Sequence, residues 1–141
     1  MLKSWVLYAF LSMLFAGATS VIAKLGLTGI SGDMGLAVRT VFVLAFTMMF
    51  AAIVVSRDEW NALTWHNVFW LALSAVTTTL SWIFYYRAIK DGEVSTVAVI
   101  DKGSMVVAVI LAFVILREQI TVRTLIGAAC MVAGLLVIAK K

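Results

Sequence analysis

Five apolar runs of membrane-spanning length cover most of this chain and leave little room for any other kind of fold. They are Ser4–Ala23, Leu36–Val55, Val68–Tyr86, Val94–Leu116 and Thr121–Ala139, within 141 residues. A transmembrane helix needs about 20 predominantly apolar residues. The charges fall mostly between the runs: Lys24 and Asp33; Arg57, Asp58 and Glu59; Arg87, Lys90, Asp91 and Glu93; Arg117 and Glu118. Arg39 and Arg123 stand in the first turn of their runs, where a long side chain can reach back to the interface. Each run is continuously apolar, whereas a membrane barrel needs apolar and polar residues in alternation. The expected fold is therefore all-α: one domain over residues 1–141, a polytopic bundle of five transmembrane helices.

Composition narrows the function. Charged residues make up 13% of the chain, against about 25% in a soluble domain, and mean hydropathy is +1.10. That excludes a disordered chain, a zinc module, a disulfide-stapled secreted domain and an ordinary cytosolic enzyme. The net charge of +4 comes without a basic run, so it matches anionic lipid rather than nucleic acid. Lys3, the apolar Trp5–Phe15 and Ala16-Gly17-Ala18 together imitate a signal peptide. Four more runs follow and the apolar stretch continues to Ala23, so this segment reads as a first span. Cys130 is the sole cysteine, has apolar neighbours and is assigned no chemistry. His66 is read as a solvated loop residue beside Trp65. No triad, metal-ligand spacing or phosphate loop is present in the sequence, so neither an enzyme nor a metal or cofactor site is expected.

Five spans place the chain ends on opposite sides. Lys3, Arg57, Arg117 and Arg123 then share one side, and Lys24, Arg39, Arg87, Lys90, Lys140 and Lys141 the other. The positive-inside rule favours the second group as cytoplasmic, by a small margin. A chain this balanced can insert both ways. Trp5, Tyr8, Trp60, Trp65 and Trp70 form an interfacial belt on the first side.

Polar residues inside the runs are the functional candidates. Ser74, Thr77, Thr78, Ser81 and Tyr85 recur at helical spacing and form one face, either packing glue or the wall of a wet path. Ser12, Ala16 and Ser20, and likewise Gly127, Cys130 and Gly134, form small-residue faces for helix packing. Asp101 and Lys102 interrupt the fourth run about 10 Å from its start. A charge there costs about 3 kcal/mol by insertion scales, so it is a functional candidate by default. Neighbours on a helix diverge by about 100°, so the two are expected to face apart and to need separate partners. Lys24, Arg39 and Arg87 are candidate partners for Asp101. The alternatives are a buried ion pair that fixes packing, or a late helix start. Asp101-Lys102-Gly103 also fits a broken helix, the kind that lines transporter sites.

Three stretches resemble the EamA-type branch of the drug/metabolite transporter superfamily, in particular its short five-helix bacterial members. The first is Ala23-Lys24-Leu25-Gly26-Leu27 with Ala37-Val38-Arg39-Thr40. The second runs through Ser81-Trp82, Tyr86-Arg87-Ala88, Gly92, Val94-Ser95 and Val97-Ala98-Val99-Ile100-Asp101-Lys102. The third is Leu116-Arg117-Glu118 with Ile126-Gly127-Ala128 and Gly134. The chain departs from the family pattern at Val99, where a proline is common, and at Gly103, where a leucine is common.

The resemblance implies a small-molecule metabolite or drug transporter, an exporter, in the bacterial inner membrane. It also implies half of a ten-helix inverted-repeat transporter. The other half would be a second copy inserted upside down, as an antiparallel homodimer, or another membrane protein. On that reading Asp101 is the ionisable switch or cation contact, and Lys102 an anion contact or counter-ion. Lys24 and Arg39 are balancing charges, while Trp82, Tyr85, Tyr86 and Ser104 line the path. Glu118, Gly127 and Gly134 are structural. A non-transporting assembly subunit that pairs with another membrane protein is the alternative from a different class. A pump like the small multidrug resistance proteins fits less well, because the first run lacks an acid.

Overall fold

The computed structural model describes residues 4–139. Lys3, Lys140 and Lys141, which enter the orientation count, lie outside the described residues. Among those described, every regular element is helical: α1 (Ser4–Gly26), α2 (Gly32–Val54), α3 (Arg57–Asn61), α4 (Trp65–Asp91), α5 (Val94–Asp101), α6 (Ser104–Ile115) and α7 (Val122–Ala139). Four spans are long and apolar enough to cross a membrane: α1, α2, α4 and the stretch Val94–Ile115 formed by α5 and α6. The last helix, α7, is apolar but shorter.

Small hydroxyl residues set the helix starts. The Ser31 side chain accepts the Met34 N–H and caps α2. Because the cap falls there, the turn between α1 and α2 is confined to residues 27–31. Its one sharp reversal is at Gly29, whose φ of +77° suits a residue without a Cβ. Thr64 and Thr121 accept N–H groups at the starts of α4 and α7 in the same way. Inside the spans, hydroxyls turn back on their own helix. Thr19 donates to Phe15 O, Thr47 to Val43 O, and Thr77 and Thr78 both donate to Ser74 O, at 2.7–2.9 Å. A donor so satisfied can meet lipid without an open polar group.

The chain forms two compact units. Val21–Asp91 is one of them, and within it α2 packs against α4. Its core sits at one end, where the end of α1, the start of α2 and the end of α4 meet. Ile89 is fully buried there, with Leu27, Tyr86 and Leu36 almost so. α4 runs five residues past the expected stop at Tyr86, carrying Arg87 and Lys90 on its last turns. The rest of the described chain is the other unit, in which α7 packs against both α5 and α6. Most large apolar side chains of both units are exposed, from Phe15 and Ile53 to Val137, as lipid-facing surface requires.

Candidate functional site

In the unit Val21–Asp91 the charged residues converge at the buried end. Two lysines staple it in a reciprocal way. Lys24 Nζ, on the last turn of α1, donates to Ile89 O at 2.6 Å and Lys90 O at 2.9 Å. Lys90 Nζ, on the last turn of α4, donates to Leu27 O at 3.0 Å. Helix C-termini leave four carbonyls without helical partners, and their partial negative charge favours a cation. Lys24 thus covers two carbonyls in the last turn of α4, and Lys90 the carbonyl just past the end of α1. Beside them, Arg87 Nε and Nη2 donate to the two Asp33 oxygens at 2.8 and 3.1 Å, a bidentate pair from α4 to α2.

Glycine permits this closeness. A Cβ at Gly32 would lie 2.7 Å from Tyr86 O and 2.9 Å from Tyr86 C. At Gly35 it would collide with the Leu27 side chain.

Arg39 lies two turns further along α2. Its guanidinium carbon is 4.4 Å from the centroid of the Trp82 ring and 5.9 Å from that of Tyr86. Tyr85 and Tyr86 meet edge to face at 6.4 Å. The Arg39 Nη1 atom is buried and has no hydrogen-bond partner among the described residues. Four of the expected site residues, Arg39, Trp82, Tyr85 and Tyr86, are therefore brought together in this unit, with Lys24 committed to the staple below them.

Asp101, Lys102 and Ser104 lie in the other unit, at a break in the fourth span. The α5–α6 junction is tightened into three-residue turns: Lys102 N–H to Val99 O at 3.1 Å, Gly103 N–H to Ile100 O at 2.9 Å and Met105 N–H to Lys102 O at 3.1 Å. The reach of the long Lys102 side chain corrects the expectation that Asp101 and Lys102 need separate partners. Lys102 Nζ instead lies 3.5 Å from Asp101 Oδ2, and both side chains stay partly exposed. Asp101 thus takes its neighbour as partner, and Arg87 takes Asp33. The helix starts at Val94, so Ser95–Asp101 is not loop. Ser104 is the first residue of α6. Gly103 allows a close approach here as well, since a Cβ would lie 3.0 Å from Leu135 Cδ1 of α7.

Outside these groups, α3 was not anticipated. Its signal is a capping box: Ser56 accepts the Glu59 N–H, and Glu59 Oε2 accepts the Ser56 N–H at 2.8 Å. The Ser56 N–H and hydroxyl hold the Glu59 carboxyl below the usual carboxylate range. His66 stands in the first turn of α4 rather than in a loop, edge-on to Trp70. A Cβ at Gly127 or Gly134 meets nothing within 4 Å, so these small-residue faces are open in the single chain. No group of three or more metal-ligating side chains gathers among the described residues.

This geometry, charges inside apolar helices around a break and an aromatic-backed arginine, can be compared with known proteins. The model of the EamA-like transporter family matches residues 3–140. The chain belongs to the EamA-like transporter family. A Sinorhizobium sp. protein named "Uncharacterized transporter in cobO 3'region" is 37% identical over 145 residues, covering 99% of each chain. No solved structure matches. Membership makes this EamA-family chain a multi-pass membrane transporter rather than an enzyme, with the lipid bilayer as its solvent and a small molecule as its cargo.

Proposed function

We propose that the chain is one half of a two-half exporter of small metabolites in the bacterial cytoplasmic membrane. It crosses the membrane five times, the short α7 included. A second copy inserted in the opposite orientation completes it, and the halves rock around a central cavity in alternating access. The observation that carries this reading is that one EamA unit accounts for residues 3–140. Inverted-repeat transporters place their cargo between two such units of opposite orientation, near the midplane. The near balance of bases on the two sides supports insertion both ways. The break at Asp101-Lys102-Gly103 supports a role for Asp101 as the ionisable group that couples the movement, because broken spans line transporter cavities.

Proteoliposomes loaded with a bacterial small-molecule extract test the function. Wild-type protein is expected to release a defined subset of solutes above protein-free vesicles, and Asp101→Asn to flatten the pH dependence of that release. If no solute leaves faster than from empty vesicles, the exporter reading fails and an assembly subunit replaces it. Single cysteines at Lys3 and Lys141, in a Cys130→Ala background, test the orientation. Labelling of both sites from outside intact cells is expected, and labelling of only one overturns the antiparallel homodimer.

A further inference from the structure

Within the unit Val21–Asp91, the buried end carries four bases, Lys24, Arg39, Arg87 and Lys90, against two acids, Asp33 and Asp91. Three of the bases have visible tasks. Lys24 and Lys90 cover carbonyls, and Arg87 holds Asp33. Arg39 is different. It stands about 10 Å from the start of α2, in the first turn of the apolar run that begins at Leu36. Its guanidinium carbon lies over the rings of Trp82 and Tyr86, which attract a cation through the ring quadrupole. A ring face supplies no acceptor to the guanidinium edge, however. That edge holds five N–H donors in a fork that matches a carboxylate, and Nη1 is both buried and without an acceptor among the described residues.

We propose that Arg39 anchors the carboxylate of an organic monoanion carried by the protein, a proposal that rests on the exporter reading above. The aromatic pair holds the guanidinium in place, and the carboxylate pairs with its edge when the transport movement uncovers Nη1. The donors left over select a monoanion: Arg39 Nη1 has no acceptor among the described residues, whereas Lys24, Arg87 and Lys90 already donate to the protein. A phosphate monoester, close to a dianion at neutral pH, needs a second cation, and the neighbouring ones are already engaged. The apolar body of the solute then lies among the aromatic and aliphatic side chains around Trp82. Arg39 is thus a cargo contact rather than a balancing charge.

Two measurements test this. In the first, purified protein in lipid nanodiscs is titrated with radiolabelled acetate, benzoate and indole-3-acetate. At least one carboxylate is expected to bind. Its neutral amide should fail to displace it at a hundredfold excess, and inorganic phosphate should displace it weakly. Arg39→Lys keeps the charge but loses the fork, and should weaken binding at least tenfold while the unfolding midpoint stays within a few degrees. Equal binding by Arg39→Lys, equal competition by the amide, or no binding of any of the three acids overturns the proposal. Arg39→Gln serves as a second variant if Arg39→Lys fails to fold.

In the second, the solutes released from extract-loaded vesicles are identified. Monocarboxylates are expected, with their release lost in Arg39→Lys. Release of only neutral or cationic solutes overturns the anion site and leaves the exporter reading intact. Arg39-dependent binding without release of any solute does the reverse: it upholds the carboxylate site and sinks the exporter.

Discussion

Gly32 is the position at which the α2–α4 contact is most open to a quantitative test. Its missing side chain lets the first turn of α2 rest on the backbone of α4. An alanine Cβ there would stand 2.7 Å from Tyr86 O, 2.9 Å from Tyr86 C and 3.2 Å from Arg87 N. Ordinary contact begins near 3.4 Å, so α2 must retreat by about 0.7 Å. The obstacle is backbone inside a helix and cannot rotate away. Overpacking of this kind costs about 1–3 kcal/mol. Alanine returns part of that, up to about 1 kcal/mol of helix propensity in a helix interior and less at the first helical position. Gly32→Ala should therefore destabilise the protein by about 1–2 kcal/mol. Gly17→Ala is the matched comparison. A Cβ there meets nothing within 4 Å, and the substitution should stabilise by about 0.5–1 kcal/mol. Reversible unfolding in mixed micelles, followed by far-ultraviolet circular dichroism, reads both. The two variants should move in opposite directions. If Gly32→Ala matches or exceeds the wild type while Gly17→Ala gains stability, the backbone-on-backbone contact is refuted.

Three further outcomes follow from the same contacts. Lys24→Met removes the ammonium that covers Ile89 O and Lys90 O. It should lower unfolding stability by about 1.5–3 kcal/mol, with amide exchange accelerated first in the last turn of α4. Arg117 holds a left-handed φ of 54° just after α6, where Glu118 N–H turns back to Ala112 O. Arg117→Gly relieves that conformation and should raise stability by about 1 kcal/mol in the same unfolding assay. The Glu59 carboxyl is held low by Ser56, so the box adds stability to α3 above the unfolded-state pKa. That stability is lost as pH falls through the lowered folded value. A carboxyl titration by NMR should show Glu59 ionising below an ordinary glutamate, and Ser56→Ala should return it toward the usual range.

The apolar runs made the helices legible because hydrophobic length is a property of sequence alone. Boundaries moved wherever a side chain chose the end. Ser31 starts α2 four residues ahead of the apolar run, and α4 continues to Asp91 because charged residues can extend a helix beyond the hydrocarbon. The short α3 was written in Ser56 and Glu59, but a search for spans passes over a five-residue helix. Asp101 and Lys102 were found as charges at depth, while their mutual contact was not. It depends on the rotamers of a long, flexible lysine side chain, which backbone periodicity does not fix.

The candidate site divides by the same logic. Sequence can count cations but cannot say which are spent. Lys24, Arg39, Arg87 and Lys90 look equivalent along the chain, each a base near the edge of an apolar run. Packing separates them. A lysine at a helix C-terminus has carbonyls within reach, and an arginine opposite an aspartate has its fork filled. Arg39 has rings beside its guanidinium carbon and no acceptor at Nη1 among the described residues. A guanidinium left so inside a membrane helix is stable only if something anionic visits it or water reaches it. The Arg39→Lys titration separates these two fates: water serves an ammonium as well as a guanidinium, whereas a bidentate carboxylate does not.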